Sequence, residues 1–109
     1  MSDPAYEVLF TEQATRDFDE QLAFYTGRSP EAGRKWCDAV ESAVIELESH
    51  PERFTRATEH DRLGSELRQL NFGVGRRLSH RMVYRIRESG VVIYAIRHLA
   101  QRMLDDPEI

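Results

Sequence analysis

Two helix-forming stretches follow one another almost without a break between residues 12 and 49, and their closeness constrains the fold most. In the first stretch, apolar residues recur at helical spacing, at Ala14, Phe18, Leu22 and Tyr25. In the second, the apolar positions are Trp36, Cys37, Val40, Ala43, Val44 and Leu47. Because the connection is so short, we expect the two helices to pack as an antiparallel hairpin. Both apolar stripes then need another layer of structure to cover them.

The ends of both helices carry recognisable signals. Thr11 is placed to cap the N-terminus of the first helix, and Gly27 is placed to end it. Ser29-Pro30 combines a capping serine with proline at the first helical position, which is typical of the start of a second helix. His50-Pro51 stops that helix, because the residue before a proline disfavours helical backbone angles.

The remaining periodic segments are typical of β-strands. YEVLFT (6–11) alternates, with Tyr6, Val8 and Phe10 on one face. Residues 51–65 show no period, and a connection of that length is usually mobile or functional. Three β-like runs follow, at 66–72, 79–89 and 91–98, and the tail 99–109 is expected to add a short helical turn.

This order predicts the fold class. The elements read β-α-α-β-β-β, and Glu88-Ser89-Gly90 indicates a tight hairpin between the last two strands. A helical hairpin that buries its stripes on one face of a small, mainly antiparallel sheet is an α+β arrangement. At 109 residues, the chain is expected to form a single domain over 1–109.

The third strand run separates its side chains sharply by type. With a period of two, His80, Met82, Tyr84 and Ile86 point to one side. The other side carries Arg81, Val83, Arg85 and Arg87. The apolar set most simply faces the helices, so we predict that the arginines line the opposite face. We expect the fold to leave that face open to a partner.

Charge is distributed unevenly along a chain whose formal net charge is −4. Residues 1–51 hold four basic and eleven acidic side chains, whereas residues 62–104 hold nine arginines and only two acids. The second half could therefore meet phosphates or an acidic partner without repulsion. Lys35 is the only lysine, and it falls on the second helix, away from the predicted sheet.

Hydropathy and cysteine content favour a cytoplasmic protein. No stretch approaches the roughly 20 apolar residues of a membrane span, and the N-terminus MSDPAYE lacks the pattern of a signal peptide. Cys37 is the single cysteine, which excludes an internal disulfide and fits a reducing compartment. Its position in the second stripe predicts a small buried residue rather than a reactive thiol.

In this order, several segments resemble the RelE/ParE superfamily of bacterial toxins from type II toxin–antitoxin modules. They are FTEQA, ELESHPERF, LGSELRQLNFG, HRMVYRI and IRH. The resemblance implies the RelE/ParE-like fold and a cognate antitoxin with a disordered segment that folds over the toxin, in a possible hetero-oligomer. It also implies one of two targets. RelE-like members are ribosome-dependent mRNA endoribonucleases, and ParE-like members poison DNA gyrase.

The residues near the last two strands bear on this choice. In the nuclease branch, Arg81 matches an arginine that contacts phosphate during catalysis, and His98 is the candidate base. The position of Lys35, the absence of tyrosine after His98 and the acidic net charge favour the ParE-like branch instead. The IRH ending followed by Arg102 is also closer to that branch. A third interpretation is an inactive relic that still binds antitoxin.

For either branch, we expect an antitoxin or target surface made of arginines. The candidates are Arg76, Arg77, Arg81, Arg85, Arg87, Arg97 and Arg102. No metal site or cofactor is expected, because no His, Cys or carboxylate pair has ligand spacing. The segment FGVGRR (72–77) lacks the lysine and the strand–helix context of a phosphate loop.

Overall fold

The computed structural model describes residues 6–57, 66–88 and 90–100, and the predicted order β-α-α-β-β-β is confirmed. The elements are β1 (Glu7–Phe10), α1 (Glu12–Arg28), α2 (Pro30–Ser49), a 3-10 turn (Pro51–Arg53), β2 (Arg68–Phe72), β3 (His80–Arg87) and β4 (Gly90–His98). Residues 58–65, Ser89 of the predicted hairpin turn and most of the predicted helical tail, 101–109, lie outside the described residues.

Both helices begin at the predicted caps. The Thr11 hydroxyl accepts a hydrogen bond from the backbone N–H of Ala14 at 3.1 Å, and the Ser29 hydroxyl accepts one from Ala32 at 3.0 Å. The first helix ends at Arg28 rather than at Gly27. Ser29 closes it in an extended conformation, with its backbone N–H bonded to the Tyr25 carbonyl. One residue therefore ends α1 and caps α2, which makes the hairpin tight.

The four strands form one sheet in the order β1-β4-β3-β2. The pairs β2–β3 and β3–β4 are antiparallel, whereas β1 runs parallel to β4, so the prediction of a mainly antiparallel sheet is confirmed. A register shift between Val83 and Tyr84 marks a bulge in the β3–β4 pair. The first strand ends at Phe10, whereas β4 continues to His98. Along the second half of β4, α1 therefore takes the place of β1.

The helical hairpin packs on one face of the sheet around Trp36, which is fully buried. Tyr84 lies in this core, as predicted, and its hydroxyl donates a hydrogen bond to the Pro51 carbonyl. Burial raises the pKa of Tyr84 above its usual value. The bond ties the 3-10 turn after α2 to the middle of β3.

Cys37 is exposed, so the prediction that it is buried is wrong. The buried positions of α2 are Gly33, Trp36, Val40, Ala43 and Leu47. Cys37 lies about 100° around the helix from Trp36, which is enough to turn it away from the sheet. The apolar stripe in the sequence is wider than the face that the sheet covers.

A second, smaller cluster covers part of the opposite sheet face. Its buried members are Ala57, Leu67, Val83, Tyr94 and Ala95. The segment before Ala57 pairs along the outer edge of β2, where the Gln69 backbone N–H donates to the Thr55 carbonyl at 2.9 Å. The expectation that this sheet face is left open is therefore wrong for its central part.

Neither α1 nor α2, the two α-helices in the described part of the chain, is both long and apolar enough to cross a membrane.

Candidate functional site

The arginines of β3 lie on the face predicted from the sequence, but their exposure differs. Arg81 is only 4% exposed, Arg85 is half-buried and Arg87 is exposed. The guanidinium of Arg85 lies over the Tyr94 ring, 5.6 Å from its centre. Only the end of β3 nearest the β3–β4 turn therefore presents accessible cations to a partner.

Arg81 is held within the sheet. Its Nη1 donates to Gln69 Oε1 at 3.2 Å across the β2–β3 pair. On the other side it lies directly opposite Arg97 of β4, whose buried Nε has no hydrogen-bond partner among the described residues. Both side chains belong to the face away from the helices, so they add positive charge next to the second cluster.

The two candidate catalytic residues lie on opposite faces of the sheet. His98 is directly opposite His80 in the β3–β4 register, and their ring centres are 5.1 Å apart on the helix side. Arg81 is the next residue after His80 in an alternating strand, so its side chain points to the other side. The structure does not bring Arg81 and His98 together.

His80 is a buried polar residue that the sequence did not single out for a role. Its Nδ1 lies 2.8 Å from Ser79 Oγ, and its Nε2 lies 3.0 Å from Gln21 Oε1. A neutral ring with the proton on Nε2 satisfies both contacts, because it donates to the glutamine and accepts from the serine. Burial, and to a lesser degree His98, lowers the pKa of His80 from 6.5 to about 4.

This lowered pKa predicts a loss of stability in mild acid. Between pH 7 and pH 5 the unfolded chain gains a proton at this histidine, but the folded chain does not. The free energy of unfolding should therefore fall by about 2 kcal/mol over that range. Urea denaturation at the two pH values measures it. His80→Gln should remove most of this pH dependence, and His50→Gln, an exposed control, should retain it. Equal pH dependence in the wild type and His80→Gln would contradict the assignment.

Four cations surround an open pocket of about 490 Å³ between the helical hairpin and the β2–β3 loop. We call it the basic pocket, and its cations are Arg28, Lys35, Arg76 and Arg77. Lys35 lies on α2 as predicted, and it lines the same pocket as the loop that leaves β2. The sequence separates these side chains by up to about fifty positions, so only tertiary packing reveals the group.

The shape of the β2–β3 loop explains how Arg77 reaches this pocket. A Cβ atom at Gly73 would lie 2.2 Å from the Arg77 carbonyl oxygen, so only glycine fits there. The loop closes where the Ser79 backbone N–H donates to the Phe72 carbonyl at 2.9 Å. Gly73 thus permits a tight return of the chain, and the arginines that follow line the pocket beside the hairpin.

A second groove, of about 230 Å³, runs between α2 and β2. Its apolar lining includes Ala39, Ala43, Phe54 and Leu70. It borders β2, which is the edge strand of the sheet. The outer edge of β2 already pairs with the segment before Ala57, so a partner segment would lie in the apolar groove itself.

The family of the chain follows from a comparison with known proteins. A family model described as "ParE toxin of type II toxin-antitoxin system, parDE" matches residues 8–103. The chain belongs to the ParE toxin family. The resemblance inferred from the sequence is thereby confirmed, and membership in the ParE toxin family implies a cognate antitoxin as partner. No curated protein matches the chain.

The ParE-family match covers both helices and strands β2 to β4 in full, and β1 from Val8 onward. Of the seven predicted surface arginines, Arg76 and Arg77 line the basic pocket, and Arg102 lies outside the described residues. The other four lie on β3 and β4. Within residues 6–57, 66–88 and 90–100, no group of three or more His, Cys, Asp or Glu side chains could hold a metal ion.

Proposed function

We propose that this ParE-family toxin acts by binding and poisoning DNA gyrase in the cytoplasm, as part of a plasmid-stabilisation or stress module. The observation that carries the choice is the placement of Arg81 and His98 on opposite sheet faces. RNA cleavage needs a base, a cation and an acid around one phosphate. Separated residues do not supply that arrangement, whereas a binding poison does not need it.

The proposal also assigns the antitoxin a place on the toxin. The exposed end of β3, with Arg85 and Arg87, offers positive charge to an acidic segment. The groove between α2 and β2 offers an apolar trough beside a strand edge. A disordered antitoxin segment that folds on binding can occupy both. Because Arg81 is buried, its guanidinium does not contact the antitoxin directly in this proposal, and it contributes by supporting the sheet.

Purified toxin with gyrase and relaxed plasmid is the direct test. We expect inhibited supercoiling and accumulation of gyrase-linked cleaved DNA, and no codon-phased cuts when the toxin is added to a translating extract. Prior addition of the cognate antitoxin should abolish the effect. Codon-phased cleavage with normal supercoiling would establish the mRNA endoribonuclease instead. Harmless expression without the neighbouring antitoxin gene would indicate an inactive relic.

One substitution separates the first two outcomes further. His98 is exposed, and its Nδ1 accepts a hydrogen bond from the Ala100 backbone N–H at 3.1 Å. His98→Gln should therefore fold and keep its effect on gyrase. If His98 were the base of a nuclease, the same variant would lose its toxicity. His50→Gln, at an exposed helix end, is the matched control for a histidine change without a proposed role.

A further inference from the structure

We propose that the basic pocket binds the phosphate groups of a nucleic-acid strand, with Arg28, Lys35, Arg76 and Arg77 as the contacting cations. This goes beyond the gyrase proposal, because a toxin can poison gyrase through protein contacts alone. It also holds if the target is different, since the proposed ligand is a phosphodiester backbone and not a particular enzyme.

The four pocket cations differ from three arginines elsewhere in the described chain in whether an acid pairs with them. Arg16, Arg34 and Arg53 each form an ion pair with a glutamate, at 3.9, 3.5 and 2.8 Å. Within the described ranges, by contrast, no carboxylate lies at ion-pair distance from any of the four pocket cations.

The residues that line the pocket include no acid. Positive charge gathered in a concave surface without compensation attracts an anion.

Two helix ends of opposite dipole sign meet beside the pocket, the C-terminus of α1 and the N-terminus of α2. The pocket reaches Ala32, in the first turn of α2. The start of a 20-residue helix carries partial positive charge, because its first backbone N–H groups have no partner within the helix. Ser29 caps one of these groups, and the side chains of Arg28 and Lys35 flank the same end. The negative C-terminal end of α1 and Glu31 in the first turn of α2 lie at the same place, so the positive charge of the pocket comes from its side chains.

An aromatic ring in the lining favours nucleic acid over an acidic peptide. Tyr25 is half-buried and borders the pocket. Its ring stacks on Trp36, with centres 5.7 Å apart and planes 18° apart, so it is fixed in orientation. Sites for single strands combine cations that follow the backbone with rigid aromatic rings on which bases stack. Carboxylate side chains of a peptide would use the cations but not the ring.

The test uses the purified full-length chain and fluorescein-labelled oligonucleotides. Single-stranded DNA and RNA of the same length and sequence distinguish the two possible sources of phosphate, and a labelled polyglutamate peptide represents a protein ligand. The pocket variant replaces Lys35, Arg76 and Arg77 with glutamine. The control variant replaces Arg16, Arg34 and Arg53 with glutamine, which removes the same charge from outside the pocket. Circular dichroism confirms that both variants fold.

We expect the pocket variant to bind oligonucleotide at least about tenfold more weakly at moderate salt. The plot of log affinity against log salt should become shallower by about 2 for a single strand, which corresponds to three lost phosphate contacts. The control variant should bind like the wild type.

Equal weakening in both variants, binding of polyglutamate in preference to either oligonucleotide, or no binding to DNA or RNA would each overturn the proposal. Gyrase inhibition is measured separately on the same variants, so its loss or survival does not decide this result.

Discussion

Replacing Trp36 with alanine is expected to lower the free energy of unfolding by about 4 kcal/mol. The indole is completely buried and lies at the centre of an aromatic cluster. Its ring centre is 5.0 Å from that of His80 and 6.0 Å from that of Phe72, and its Nε1 donates to the Phe18 carbonyl at 3.2 Å. Alanine would leave a cavity between the hairpin and the sheet that rigid strands cannot close.

Urea denaturation followed by circular dichroism measures this loss. Trp36→Phe should recover a large part of the stability, because a ring still fills the space, although the Phe18 carbonyl loses its donor. Phe24→Ala is the matched aromatic control on α1, since Phe24 is 56% exposed and should cost at most about 0.5 kcal/mol. A cost below about 1 kcal/mol for Trp36→Ala would show that the cluster does not hold the layers together.

Replacing Asp17 with alanine is expected to cost about 2 to 3 kcal/mol, although charged residues on helices are usually dispensable. Asp17 is 8% exposed, and its Oδ2 accepts a hydrogen bond from the Ile96 backbone N–H at 3.0 Å. Gln13 donates to its other oxygen at 2.8 Å. Because β1 ends before this point, no strand pairs with that N–H, and alanine would leave a buried donor without a partner.

Two further substitutions test this role of the carboxylate. Asp17→Asn keeps an oxygen acceptor for Ile96 and should restore part of the stability lost in Asp17→Ala. Asp19→Ala removes an exposed acid from the same helix and should change stability by no more than about 0.5 kcal/mol. If Asp17→Ala and Asp19→Ala melted alike, the contact with β4 would contribute nothing to stability.

Asp17 also shows where sequence reasoning failed to find an important residue. It lies between the apolar positions Ala14 and Phe18, and this was the only available signal, because an acid within the buried stripe of a helix needs a partner. The partner is a backbone group 79 positions away. No local pattern identifies it, since the need arises only from the unequal lengths of β1 and β4.

Local features were predicted well because they depend on neighbouring residues. The caps at Thr11 and Ser29 satisfy donors three residues away, and the stop at His50-Pro51 follows from the geometry of proline. Likewise, the alternation in β3 placed His80 and Tyr84 toward the helices, and their complete burial agrees with it. Each of these predictions rests on a repeat or a contact within a few residues.

Burial on the far side of the sheet was not predictable in the same way. The alternation correctly placed Arg81 and His80 on opposite faces of the sheet. It did not predict which segments of the chain cover each face. Arg81 is buried on a face where Ala57 and Leu67, both near the irregular connection, join a second cluster. Segments without a period carry no sequence signal for where they dock, because their positions are set by the surfaces that they cover.

The sequence by itself determined the elements, their order, the faces of the strands and, through its motifs, the toxin family. Tertiary structure alone decided that His98 and Arg81 lie on opposite sheet faces and that Lys35 lines the same pocket as Arg76 and Arg77. The physical reason is the range of the interactions. Hydrogen bonding and side-chain periodicity act within one turn or one strand, whereas a charged pocket is formed only when a helix end and a distant loop pack together.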